Sequence, residues 1–505
     1  MRIIKMTDQE IRAKYQEIIK ECKDELKNEN IKEVHQQVPQ LSWMIFLKCL
    51  DDFDKVNALK IKNHVEILPE SLQWSTWTGK RDETGDFFLD KVDDLFRELG
   101  RLQPEPGKEQ ISLISSIFKN LPNRIRNGFR LRKIVNHISE LSFKRPNEVK
   151  IFEEIYRNEL FEMVKSSENE AYYYTPRAVS QLLVSLVKPD LKKEERVYDP
   201  ASGFGGILIE ALESMKELGD DTEFRKKLIH KTIFGQEKDV DTFLCCVVNC
   251  MVNGLTSPNL ANTNTLLLHT RDISDNNQFD VIITNPTHGG DEDETVSKNL
   301  PLEYQTSDTT SHFLYFVMES LNENGRAAMI VPNGFLFSTG VGTKIKEKLL
   351  KEFNLHTIIR FPETVFEPYT PIATNILLFE KTPKTKEICY YQFKIPEKYK
   401  GRGKNPKYGK TKPPEFDDFA DILDWIGHKN DVNTNAWCES VNDLVKFDDD
   451  GKITQIDLDR KNPNDKDEPI ELSPHELIDT ILKDEEKTLE LLRDVKELIQ
   501  KEIPK

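Results

Sequence analysis

Along the first third of the chain, apolar residues recur at helical spacing and seldom alternate. Leu113–Phe118 and Leu131–Leu141 carry them roughly three and four apart. Thr7-Asp8-Gln9-Glu10 is a capping box, with Thr7 as N-cap and Glu10 three residues on. Residues 1–165 are therefore expected to form a helical domain.

The pattern changes near residue 170. Short β-rich runs stand at Val197-Tyr198, Thr232-Ile233-Phe234, Val281-Ile282-Ile283, Ala327–Val331, Thr357-Ile358-Ile359 and Asn375–Phe379. Helical stretches such as Ala178–Leu186 and His312–Leu321 lie before or between them. This alternation predicts an α/β domain over 166–400, a doubly wound and mostly parallel sheet. Such sheets bind ligands outside the carboxyl ends of their strands.

Beyond the sheet, Lys398, Lys400, Arg402, Lys404, Lys407, Lys410 and Lys412 follow one another with no acid between them, and Gly401, Gly403, Pro406 and Gly409 mark the run as a loop. Residues 401–472 read as an irregular extension. Ser473-Pro474-His475-Glu476 is a second capping box, with Pro at the first helical position. The stripe Ile478, Ile481, Glu485, Thr488, Leu492, Val495, Ile499 predicts a helix over 473–505. A lone helix of this kind docks on a partner subunit or on its own chain.

Length and charge narrow the classes. At 505 residues, two or three domains are expected. Asp+Glu at 87 against Lys+Arg at 71 leaves a net charge of −16. That argues against a free-standing nucleic-acid binder, whose footprint is basic. An enzyme brought to nucleic acid by a partner remains open. No apolar run approaches the roughly 20 residues needed to span a bilayer, and Met1-Arg2-Ile3-Ile4-Lys5 shows no signal peptide. A cytoplasmic protein with no membrane association is expected. The seven cysteines form no Cys-x-x-Cys pair. Cys245, Cys246 and Cys250 fall in an apolar helix and read as buried reduced thiols rather than a metal or redox centre. No metal site is expected.

Three strand ends carry candidate chemistry. Asp199-Pro200-Ala201-Ser202-Gly203-Phe204-Gly205-Gly206 follows the first strand. Its glycines let backbone pass close to a ligand, and Asp199 suits a cationic amino group. No Gly-Lys-Ser/Thr follows, so S-adenosyl-L-methionine, which has an amino-acid end and no phosphates, fits better than a nucleoside triphosphate. A plain tight turn would look the same. Gly235-Gln236-Glu237 ends the second strand, where an acid is the usual partner of ribose hydroxyls. Asn285-Pro286 ends a later strand. The Asn285 side-chain oxygen and the Pro286 carbonyl can both accept from one NH₂ group. That orients a conjugated, poorly nucleophilic amine for attack on a sulfonium methyl. Such a base must be flipped out of the duplex and stacked on a flat side chain, for which His288 is the candidate. The order glycine turn, acid, Asn-Pro after strands one, two and four points to a Rossmann-like S-adenosylmethionine-dependent methyltransferase fold.

With these motifs in place, the chain resembles the modification (methyltransferase) subunits of type I restriction–modification systems. Tyr172-Tyr173-Tyr174-Thr175-Pro176-Arg177 resembles the family's Tyr-Thr-Pro-Arg segment, and the resemblance places Tyr174, Thr175 and Pro176 at the methionine end of the cofactor. Asp199–Gly206 resembles the family's glycine turn, which implies Asp199, Ala201, Ser202, Gly203 and Gly205 as cofactor contacts. Gly235-Gln236-Glu237 resembles its second-strand acid. Asn264-Thr265-Leu266 is similar to the segment that meets the cofactor adenine, which gives Asn264 that role. Gly325-Arg326-Ala327-Ala328 with Val331-Pro332-Asn333-Gly334 resembles the strand after the catalytic motif, and Phe366-Glu367-Pro368-Tyr369-Thr370 through Thr374-Asn375-Ile376-Leu377 a late segment near the target base.

The resemblance implies adenine-N6 methylation of double-stranded DNA, with Asn285, Pro286 and His288 catalytic. It also implies a specificity subunit that reads sequence, a restriction subunit, and two copies of this chain per specificity subunit. The C-terminal helix would pack with the specificity subunit, and the Lys398–Lys412 loop could touch phosphates. Thr287 and His288 depart from the family's Asn-Pro-Pro-Phe/Tyr. A cofactor- and DNA-binding subunit with impaired catalysis is therefore the alternative. Methylation of RNA or protein glutamine, which also uses Asn-Pro, is a third reading.

Overall fold

The computed structural model describes residues 6–465 apart from 63, 80–82, 106–107, 109, 167–173, 217–230, 256–257, 288–292, 368–371, 402–404, 410 and 429–432; beyond 465 it describes Ile478, Leu482 and Glu485, all helical. His288, Tyr172, Tyr173, Pro368–Thr370 and most of the expected C-terminal helix, including its capping box, lie outside the described residues. Residues 1–460 form one compact unit and 461–505 a second.

Up to residue 166 the described regular structure is helical. Helices span Asp8–Asn28, Val34–Lys60, Asp86–Gly100, Gln110–Asn120, Gly128–Ser139 and Pro146–Ser166. The Thr7 box forms: the Glu10 amide donates to Thr7 Oγ1 at 3.3 Å, and the Thr7 amide to Glu10 Oε2 at 2.7 Å. Helix Val34–Lys60 is buried through most of its length, which is why its apolar residues are not confined to one stripe. Its polar residues are paired inside: Lys48 bonds Asp52 at 2.6 Å, and Asp52 also accepts from the Phe143 amide at 3.0 Å. Ser42 lies 2.6 Å from the Tyr156 hydroxyl and 3.6 Å from Cys245 Sγ. That joins this helix to Pro146–Ser166 and to Val240–Val252 beyond it.

The rest of the unit is built on a nine-stranded sheet: β1 Val197–Asp199, β2 Ile233–Glu237, β3 Asn259–Asn262, β4 Phe279–Thr284, β5 Leu321–Pro332, β6 Asn354–Arg360, β7 Thr374–Glu380, β8 Glu387–Gln392 and β9 Ala436–Ser440. The order is β3-β2-β1-β4-β5-β7-β6-β8-β9. Strands β3 to β5 run parallel, while β7 is antiparallel to both neighbours. Strand β6 pairs parallel with β8, and β8 antiparallel with β9. β1, β4 and β7 are buried almost throughout, which explains their near-continuous apolar runs. The fold is α/β and Rossmann-like, with a helical N-terminal region. The helix expected at Ala178–Leu186 spans Arg177–Val187. That expected at His312–Leu321 spans Thr309–Glu319, with Leu321 already in β5.

The stretch after 401 has more regular structure than its pattern suggested. It carries helix Ala420–Gly427, strand β9, and a hairpin of β10 Val445–Phe447 and β11 Ile453–Ile456. The buried Lys346 ammonium holds that hairpin, donating to the carbonyls of Leu336, Ser338 and Ile456 at 2.9, 2.9 and 2.7 Å. Cys245, Cys246 and Cys250 are buried and free, as expected. A disulfide between Cys389 of β8 and Cys438 of β9 was not anticipated: the two are 49 residues apart and face each other only through strand pairing. Among the described residues no helix is long and apolar enough to cross a membrane.

Candidate cofactor and target-base site

β2, β1 and β4 are adjacent and parallel, so Glu237, Asp199 and the Thr284-Asn285 step reach the same edge of the sheet. The turn after β1 folds back at Gly203 and Gly205, whose φ values of 52° and 79° favour glycine. A Cβ on Gly205 would come within 2.8 Å of Cys246 Sγ, because helix Val240–Val252 packs directly behind.

Asp199 is fully buried. Its Oδ1 accepts from the Ala201 amide at 3.1 Å and the Thr284 hydroxyl at 2.8 Å. Its Oδ2 is buried without a partner. Burial pushes the carboxyl up to about 7, against the pull of those two hydrogen bonds. Glu237 is also raised by burial. It accepts from the Gly203 amide at 3.1 Å and the Asp239 amide at 2.9 Å, so it ties β2 to the glycine turn. Asn264 Oδ1 accepts from the Leu266 amide at 3.0 Å, and the neighbouring Thr265 hydroxyl donates to the Pro200 carbonyl at 2.5 Å.

Beside the turn lies a narrow cleft, partly open to solvent. Of the residues expected at the site, Tyr174, Thr175, Asp199, Ala201, Ser202, Gly203 and Asn285 line it. Pro176 caps helix Arg177–Val187, and Gly205 backs onto Cys246. Glu237 and Asn264 stand next to the turn rather than in the cleft wall. Asn285 is buried, and its Nδ2 donates to Thr175 Oγ1 at 3.0 Å. Pro286 is buried and Thr287 half-buried.

Sequence reasoning missed several cleft residues. Glu153 and Arg157 come from helix Pro146–Ser166, Glu210 from the helix after the glycine turn, and Asn249 and Asn253 from the apolar helix and its end. The two asparagines are four apart on one face, a signal hidden by the surrounding apolar residues. The first two gave no motif at all.

The sheet edge continues past β4. Asn333, after β5, accepts through Oδ1 from Arg360 and Asn375, each at 3.3 Å. In the basic loop, Lys398 pairs with Asp418 at 2.7 Å and Glu415 at 2.8 Å, and Lys400 with Glu397 at 3.3 Å. The hydroxyls of Tyr399 and Tyr408 donate to the same Asp418, at 2.8 and 3.2 Å. Two of the cations in the run are thus engaged by local carboxylates.

Residues 147–456 match the model of the N-6 DNA methylase family. Over 454 residues the chain is 36% identical to the EcoEI methylase subunit of a type I restriction enzyme from Escherichia coli, covering 88% of this chain and 89% of the relative. The chain belongs to the N-6 DNA methylase family. This methylase is also 26% identical over 395 residues to the StySJI methylase subunit of Salmonella typhimurium, covering 74% and 69% of the two chains. A modification subunit from Vibrio vulnificus YJ016, assigned to a type I restriction enzyme, superposes with a TM-score of 0.78 at 34% identity, over 90% of this chain and 97% of that one. A chain solved in work on assembly of the type I restriction–modification system superposes at 0.74 with 29% identity, over 97% and 98%. The methylase therefore groups with type I modification subunits, and its activity is DNA methylation at adenine N6. The family match opens at 147, so it takes in all of helix Pro146–Ser166 but its first residue, in keeping with the place of Glu153 and Arg157 in the cleft.

Proposed function

We propose that the cleft binds S-adenosyl-L-methionine next to Asn285, and that Asn285 and Pro286 hold the exocyclic amine of a flipped adenine for methylation. The observation that carries this reading is the unpartnered, buried Oδ2 of Asp199 in the cleft wall. A buried carboxylate oxygen without a partner is costly, and an ammonium group supplies what it lacks. The donor set fits an amino-acid end and not a polyphosphate.

Each residue then has a task. Asp199 takes the ammonium. Ala201, Ser202, Gly203 and Gly205 let backbone approach the ligand. Glu237 and Asn264, anchored beside the turn, read the ribose and adenine. Tyr174, Thr175 and Pro176 close the methionine end. The cofactor, when bound, supplies an electrophilic methyl group on a sulfonium. Asn285 donates through Nδ2 to Thr175, and its side-chain oxygen is the acceptor this reading assigns to the target amine. With the Pro286 carbonyl it accepts both amine hydrogens, turns the lone pair toward the cleft and stabilises the positive charge that develops on nitrogen. His288 supplies the stacking surface for the flipped base.

In this reading the chain works in the cytoplasm with a specificity subunit, a restriction subunit and double-stranded DNA, two copies to each specificity subunit. The net charge of −16 supports delegation of sequence reading to a partner. The test is N6-methyladenine measured by mass spectrometry in DNA from a methylation-free host expressing the chain with its specificity subunit. Methyladenine that disappears with Asn285→Ala supports the reading. A purified complex that binds cofactor yet leaves DNA unmethylated overturns it and points to Thr287 and His288.

A further inference from the structure

We infer that Arg157, on helix Pro146–Ser166, is a binding residue for the carboxylate at the methionine end of the cofactor. The inference rests on the cofactor reading above.

A free amino-acid end carries an ammonium and a carboxylate on the same carbon. A cleft that takes it needs one anion and one cation within a few ångströms of each other. Asp199 Oδ2 is the anion. Two cations line the same cleft, Arg157 and Arg177. Arg177 is committed: its Nε donates to Glu210 Oε1 at 2.6 Å. Glu210 is mostly buried, and burial raises it while Arg177 pulls it back down, so the pair holds itself together. Arg157 is held by a longer contact on its own helix: a terminal nitrogen lies 3.0 Å from Glu153 Oε1 one helical turn away. A guanidinium presents five N–H groups in a planar fork, more than one such contact uses, and the fork matches a carboxylate. Both arginines line the cleft with Tyr174 and Thr175, and burial raises the Tyr174 hydroxyl while the two nearby positive charges pull it back.

The backbone under Arg157 is fixed. The preceding residue, Tyr156, is buried and bonded to Ser42 of helix Val34–Lys60 at 2.6 Å. The guanidinium is thus positioned by packing in the helical N-terminal region. The cofactor site is completed by a helix that precedes the sheet.

The experiment is calorimetric binding to the full chain of S-adenosyl-L-methionine and of its decarboxylated form, which keeps the nucleoside, sulfonium and ammonium. The expected result for Arg157→Gln is a loss of affinity of about 10–100-fold for the complete ligand, the size of a charge-assisted hydrogen bond. The decarboxylated ligand is expected to bind wild type and variant within about threefold of each other, and Arg157→Lys to recover part of the loss. Unchanged affinity for the complete ligand in Arg157→Gln overturns the inference. An equal loss for both ligands also overturns it, since that is a displaced helix. Failure of the wild-type chain to bind either ligand sinks the cofactor reading itself.

Discussion

The Thr284 hydroxyl donates to Asp199 Oδ1 at 2.8 Å and ties the end of β1 to the end of β4, one residue before Asn285. Asp199 is raised from 3.8 to about 7 by burial, and this bond is one of two that keep it from rising further. A raised carboxyl stabilises the fold most below its unfolded value, and that contribution is lost as pH climbs through about 7. Ligand binding runs the other way, because an ammonium needs the ionised form. Affinity for S-adenosyl-L-methionine should rise about tenfold per pH unit below 7 and level off above it. Calorimetry at pH 6 in buffers of different ionisation heat should show release of about one proton. Thr284→Val should move the inflection to higher pH, and Asp199→Asn should remove it.

In the proposed reading, Asn285→Ala takes away one acceptor for the target amine. Methyl transfer should fall by about 10²–10³-fold, the usual cost of a charge-stabilising contact. Cofactor affinity should fall far less, because in the proposed reading its charged end is held from Asp199 and Asn285 reaches it only through Thr175. Single-turnover kinetics with S-adenosyl-L-methionine binding measured alongside would separate the two.

Positions 287 and 288 shape the target pocket in the proposed reading, and neither belongs to the cofactor set. Thr287→Pro with His288→Phe should change the methylation rate while leaving the mass of the assembled complex as it was. Light scattering after size exclusion, run beside the rate assay, checks both halves. A change in assembly would mean that this segment has a structural role.

Gly205→Ala introduces a side chain at a φ of 79° and sets it 2.8 Å from Cys246 Sγ. The loss should be about 1–3 kcal/mol from strain and overpacking together. Urea denaturation monitored by circular dichroism gives the value. Cofactor binding should weaken as well, since helix Val240–Val252 and the turn would have to separate.

Much of the site was legible because strand ends are local in sequence. Asp199, Glu237 and Asn285 each follow a recognisable apolar run, and their order implied adjacency at one sheet edge. Three strands of the large sheet were not read. β3 is Asn259-Leu260-Ala261-Asn262, with only Leu260 buried, so it offers no alternation to detect. β8 has a buried run from Ile388 to Tyr391, and β9 a buried Trp437, but both lie past the point where the strand–helix rhythm stops. Arg157 and Glu153 were invisible for a different reason. They sit on an amphipathic helix whose polar face looks solvated in sequence, and only packing turns that face toward the cleft. The Lys398–Lys412 run read as free positive charge, but Asp418, brought alongside by the fold, engages Lys398.

In the proposed reading Thr175 belongs to the segment that closes the cofactor's end of the cleft and Asn285 faces the base to be methylated, and one hydrogen bond of 3.0 Å joins them. The two ligands therefore share a wall. Whatever ordering of Thr175 accompanies cofactor occupancy also orders the amide that receives the base. Energetic coupling of this kind is reciprocal. The factor by which cofactor tightens the grip on an extruded adenine equals the factor by which that adenine raises the affinity for the cofactor. On that reading a loaded enzyme holds an extruded base more tightly than an empty one does.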